Sequence, residues 1–124
     1  MLQKYVLTSN KILNKLGVMQ GRLVPQENRK IQSFPWKNWK KEIRICGKYK
    51  FRTLEWTVDN YKFYQNPINL RSHTKIINKL KKKYKVKTES LTADFFMQKP
   101  FFKERKKSNF LKEVDKLFIV LNNS

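Results

Sequence analysis

Glycine, cysteine and histidine are all scarce in this chain, and each scarcity closes off a class of chemistry. Three glycines in 124 residues are too few for the loops that cradle nucleotide phosphates, which need glycine where the backbone approaches the ligand closely. The single cysteine, Cys46, permits neither an internal disulfide nor a paired-cysteine metal site, and fits a reducing compartment. It falls within an apolar helical stripe without a histidine partner, so it does not read as a nucleophile. The lone histidine, His73, falls at the start of a helical pattern, away from any strand end, and reads as a surface or capping residue. No apolar run reaches the roughly 18 residues of a membrane span. Residues 1–16 also lack the continuous apolar core of a signal peptide. The expectation is a soluble, cytoplasmic protein with no membrane partner.

Acidic residues are scarce too: 9 Asp and Glu face 29 Lys and Arg, a formal net charge of +20. Such a charge raises nucleic acid or an acidic surface as a partner. The lysines, however, are scattered over helix faces and loops, as at Lys79, Lys81, Lys82 and Lys83, with Asn and Ile abundant beside them. That is the bias an AT-rich genome writes on any surface. Nucleic-acid binding is therefore expected to be at most weak, non-specific and lost at moderate salt.

What the chain does contain is a regular alternation. Residues 53–56, Thr-Leu-Glu-Trp, read as a short strand buried on both faces. Similar runs at residues 16–20 and 86–94 lie about 36 residues to either side, the length of a strand, a helix and two loops. The first helix is expected from near Pro35 and Trp36 to about Lys48, with Trp39, Ile43 and Cys46 on its apolar side. The second starts at a Ser72 cap and aligns Ile76, Ile77, Leu80 and Tyr84. A last helix from about Ser108 carries the stripe Phe110, Leu111, Val114, Leu117, Phe118 and Leu121. This order predicts an α/β fold, with parallel strands joined by right-handed helical crossovers and ligands at the strands' carboxyl ends. Residues 1–15 read as an extension with one helical turn, and residues 16–124 as a single domain.

Several separated motifs carry a resemblance. Gly17-Val18-Met19-Gln20-Gly21-Arg22-Leu23, Ile31-Gln32-Ser33-Phe34-Pro35-Trp36, Leu54-Glu55-Trp56, Asn66-Pro67, Ala93-Asp94-Phe95-Phe96-Met97 and Pro100-Phe101-Phe102 occur in this order. Over roughly residues 16–121 the chain resembles sugar phosphate isomerase/epimerase proteins, which have the xylose isomerase-like TIM barrel fold. It departs from them at Lys50, where such proteins usually carry glycine, and in lacking the strand that would follow the last helix. The resemblance implies about three βα units of an incomplete (β/α)8 barrel, since a closed barrel takes about 250 residues.

It further implies metal-dependent isomerisation or epimerisation of a sugar or sugar phosphate. Members hold Mn, Mg or Zn with carboxylates and a histidine from later strands, and acidic residues move a proton beside a carbonyl. None of those ligands is assignable here, so this chain is expected to bind no metal and to be inactive alone. Its share is one wall of the substrate pocket: Gln20, Arg22, Glu55, Trp56, Asp94 and Phe95, with Trp36 and Phe96 nearby. Arg22 either takes a phosphate or hydroxyl group with its fork of donors or pairs with Glu55. A carboxylate at the end of a buried strand, like Glu55, is costly unless paired or used. Asp94 caps the next loop, holds Arg22 or touches substrate, and the aromatics line a sugar site or pack. Three readings remain open: an amino-terminal fragment, one chain of a split enzyme completed by a second polypeptide, or a basic nucleic-acid binder.

Overall fold

In the computed structural model, which describes residues 11–103 and 107–122, the three strand-like runs form one parallel sheet. Its order is β1 (Gly17–Met19), β2 (Thr53–Thr57), β3 (Leu91–Thr92). Helix α1 (Trp39–Lys48) joins β1 to β2, and α2 (Arg71–Tyr84) joins β2 to β3. A single turn, α3 (Phe95–Gln98), and the longer α4 (Lys107–Asn122) follow. The architecture is mixed α/β, with a helix in each crossover. Of the expected extension, residues 1–10 lie outside the described residues; residues 11–13 are helical. Among the described residues no helix is long and apolar enough to cross a membrane.

The register sets Met19 opposite Glu55, and Thr57 opposite Thr92. Strand β3 is shorter than the run at 86–94, and its hydrogen bonds show why. Leu54 donates to the Lys87 carbonyl at 2.8 Å and Trp56 to that of Ser90 at 3.1 Å, so a two-residue step on β2 meets a three-residue step on its neighbour. The extra residue interrupts the ladder as a bulge does.

Burial of β2 corrects the expectation of a strand covered on both faces. Leu54, Trp56 and Val58 are buried, whereas Thr53 and Glu55 are half-buried. The buried face packs with Trp39, Ile43 and Cys46 of α1, Ile77 of α2 and Leu117 of α4 in a single core. On the other face, which is polar in β2, Thr57 is also wholly buried, so the strand is partly open only at Thr53 and Glu55.

Helix boundaries shift for local reasons. Turn hydrogen bonds from Trp36 to Phe34 and from Asn38 to Pro35 come first, so α1 starts at Trp39. In α2 the N-cap is Leu70, without a side-chain cap, and the hydroxyl of Ser72 lies 3.2 Å from His73 Nδ1 instead. The two helices meet closely at Gly47, where a Cβ would collide with the Tyr84 carbonyl. Lys50 has φ of 62°, the left-handed region that costs an L residue roughly 1–2 kcal/mol. This is the position where the resembling proteins usually carry glycine.

Candidate functional site

Beyond β1 the chain turns through Gln20, Gly21 and Arg22 at the carboxyl edge of the sheet. The backbone of Gln20 continues the ladder by donating to Glu55 at 2.9 Å. Its buried side chain reaches across, and Oε1 accepts from the Thr57 backbone N–H at 3.0 Å. Nε2 is buried with no partner. Gly21 takes φ of 89°, and a Cβ there would lie 2.9 Å from the Ser33 carbonyl.

Glu42 of α1 holds this turn. Wholly buried, its carboxylate accepts from Gly21 at 2.8 and 2.9 Å and from Leu23 at 3.0 Å. Burial pushes its pKa up, and the N–H groups of Gly21, Leu23 and Arg22 pull against that. Sequence reasoning missed Glu42. The signal was its spacing: it follows Trp39 by three positions and precedes Cys46 by four, which places a carboxylate on the apolar stripe.

Two more carboxylates lie at the ends of the other strands. Asp59, past β2, is 4% exposed. Its Oδ2 accepts from the Phe34 backbone N–H at 3.2 Å, while Oδ1 is buried without a partner. Burial is the main cause of its raised pKa; N–H groups of Phe34 and Tyr61 and the charge of Lys30 oppose it, and the charge of Asp94 adds to it. Asp94, past β3, is equally buried, and its Oδ2 has no partner. It stands at the N-cap of α3 without a side-chain cap bond; its main-chain carbonyl takes the N–H groups of Met97 and Gln98, both at 3.0 Å. The Thr92 hydroxyl is also buried and unpartnered. Three strand ends thus present Gln20 Nε2, Asp59 Oδ1, Thr92 Oγ1 and Asp94 Oδ2, each buried and without a hydrogen-bond partner among the described residues, where an unsatisfied group costs on the order of 1–3 kcal/mol. Asp59 and Thr92 were not singled out in the sequence; only their places at strand ends pointed to them.

The other expected residues divide. Arg22 is exposed, and its Nη1 donates to the Ile31 carbonyl at 2.8 Å. It forms no ion pair with Glu55, which is half-buried beside Met19 on the open face. Trp56 has no exposed surface; its indole donates to Asn66 Oδ1 at 2.9 Å, and Asn66 Nδ2 donates to the Thr57 carbonyl at 3.1 Å. Phe95 is likewise closed off, its ring 4.9 Å from that of Phe63. These two hold the strand ends in place from within the core. Phe96 is partly exposed, and the indole nitrogen of Trp36 is buried without a partner. His73 packs its ring 6.2 Å from that of Trp39 in the first turn of α2.

Comparisons with family models, curated proteins and solved structures find no match. What the site can do is set by its own donors and acceptors. Among the described residues no three His, Cys, Asp or Glu side chains group as metal ligands. Asp59 and Asp94 therefore do not assemble the carboxylate-and-histidine set that the resemblance implies, and they fall short of the three protein ligands of a catalytic zinc. They are suited to accepting hydrogen bonds from hydroxyl groups, with Gln20 as a donor beside them.

Proposed function

We propose that this chain contributes three βα units to a sugar phosphate isomerase/epimerase-type (β/α)8 barrel and forms one wall of its substrate site. The observation that supports this reading best is the set of buried, unpartnered polar atoms on Gln20, Asp59, Thr92 and Asp94 at the carboxyl ends of adjacent parallel strands. Barrels of this kind bind their substrates at those ends. A polyhydroxylated ligand supplies hydroxyl groups for both unpartnered carboxylate oxygens and an acceptor for the Gln20 amide. Arg22, at the exposed rim, directs its remaining donors to a phosphate. Proton transfer beside a carbonyl needs more: a base, and a divalent ion such as Mn, Mg or Zn to hold the enediolate charge. The metal-binding residues belong to further units, so these three alone are inactive.

A second chain as the source of those units is favoured by exposed apolar side chains in the segments that follow β3. Met97, Phe102, Leu111 and Phe118 are all more than half exposed, and β3 is an unpaired sheet edge among the described strands. Copies of three units cannot sum to eight, so the complement in this reading is not a second copy of these units.

The wall itself is tested by titrating the isotope-labelled chain with a sugar phosphate and following backbone amide resonances. Millimolar ligand should move the signals of Gln20, Gly21, Arg22 and Asp94, and Arg22→Ala should weaken that response several-fold. Absence of any response at the strand ends would overturn the proposal.

A further inference from the structure

A cavity lies on the helical side of the sheet, between α2 and the turn Pro67–Asn69, and we propose that it binds a small organic phosphate with a flat apolar body. Its volume is about 500 Å³, inside the range of about 300–1,000 Å³ usual for ligand sites. Ile68, Ile77 and Ile119 supply its apolar lining, with the wholly buried Trp56 behind them.

One wall is a face of α2: Arg71, Thr74, Asn78 and Lys81 all line the cavity and recur at helical spacing. Among the described residues no Asp or Glu lines it. Neither Arg71 nor Lys81 has an ion pair or side-chain hydrogen bond among the described residues. Burial lowers the pKa of Lys81, the mark of an ammonium group partly withdrawn from water with no counter-ion to hold it. An anion there gains both the charge interaction and the site's low hydration.

At the other end Asn69 donates through Nδ2 to the Phe63 carbonyl at 2.7 Å, but its Oδ1 is buried with no partner. That oxygen calls for a ligand N–H or O–H. Helical rise places Arg71 and Lys81 roughly 15 Å apart along the axis, so an elongated ligand spans the distance. The phosphate sits by Lys81, the flat body lies over the apolar lining, and a hydroxyl or amino group reaches Asn69 beside Arg71. The cavity's polar residues, Asn69, Arg71, Thr74, Asn78 and Lys81, are not those of the strand-end wall, so the two sites are tested separately.

Adenosine monophosphate is a suitable probe, with adenosine and inorganic phosphate as its separate halves. The full labelled chain in 150 mM salt should show saturable one-to-one shifts at the amides of Asn69, Asn78 and Lys81. Each half alone should bind at least about tenfold more weakly. Lys81→Met should weaken binding about tenfold with the circular dichroism of the chain retained. Lys79→Met, an exposed lysine on the same helix that does not line the cavity, should leave binding unchanged. Shifts that never saturate, spread over exposed lysines, or fall equally in Lys79→Met would overturn the proposal, because they report general attraction to a basic surface.

Discussion

Glu42 and Asp59 do opposite kinds of work with the same chemistry. Glu42 spends its carboxylate on the backbone of the turn after β1, whereas Asp59 leaves one oxygen unbonded at a strand end. Both have raised pKa values in the folded chain, so the folded state holds their protons more tightly than the unfolded state does. The stability they contribute is complete below the unfolded values and is lost as pH rises through the raised folded ones. Asp59→Asn keeps an acceptor for the Phe34 N–H and removes the charge. It should therefore stabilise the chain at pH 7 relative to wild type, with the difference shrinking as pH falls toward 4 in urea denaturation. A constant difference across that range would contradict the assignment. Lys50→Gly relieves a left-handed lysine and should raise stability by about 0.5–1 kcal/mol, read as a higher urea midpoint at unchanged slope. At this scale Gln20, Arg22, Glu55 and Asp94 were visible in the sequence as polar residues at or near strand ends. Their partners were not, because Arg22 turns to a carbonyl nine residues on and Gln20 to an amide on another strand. Such pairings depend on tertiary placement that local pattern does not encode.

The elements themselves were more legible. Each expected strand and helix between residues 16 and 122 exists, since amphipathic stripes such as Trp39, Ile43 and Cys46 follow directly from helical period. Ends were misplaced where turn hydrogen bonds or a bulge decide them, as at Trp36 and between Lys87 and Ser90. Residues 53–56 suggest a strand buried on both faces, but Thr53 and Glu55 are only half-buried. Leu121, the last residue of the α4 stripe, lies outside the described side chains. The contact that unites α1 and α2 rests on Gly47, and Gly47→Ala drives a methyl group into the Tyr84 carbonyl. The helices must then separate, costing about 1–3 kcal/mol. Thermal unfolding should show the loss; an unchanged midpoint would mean the helices shift at no cost.

For the whole molecule, charge and topology point to different partners. The charge of +20 guarantees some attraction to DNA, but the basic residues are dispersed and seven lysine-aromatic contacts spread over the described surface. Binding to a random duplex in a mobility assay should be detectable at low salt and gone by about 200 mM; tight binding that survives would favour a nucleic-acid role. The topology is a three-stranded parallel sheet with helical crossovers and buried polar atoms at the strands' carboxyl ends, on which the proposed barrel rests. The most direct measurement mixes this chain with a polypeptide carrying strands four to eight of a sugar phosphate isomerase/epimerase barrel, in the presence of manganese. Exchange of the substrate proton beside the carbonyl is then followed in deuterated water. The account predicts co-elution of the two chains and exchange only in the mixture. Co-elution without exchange, or no association at all, would contradict it.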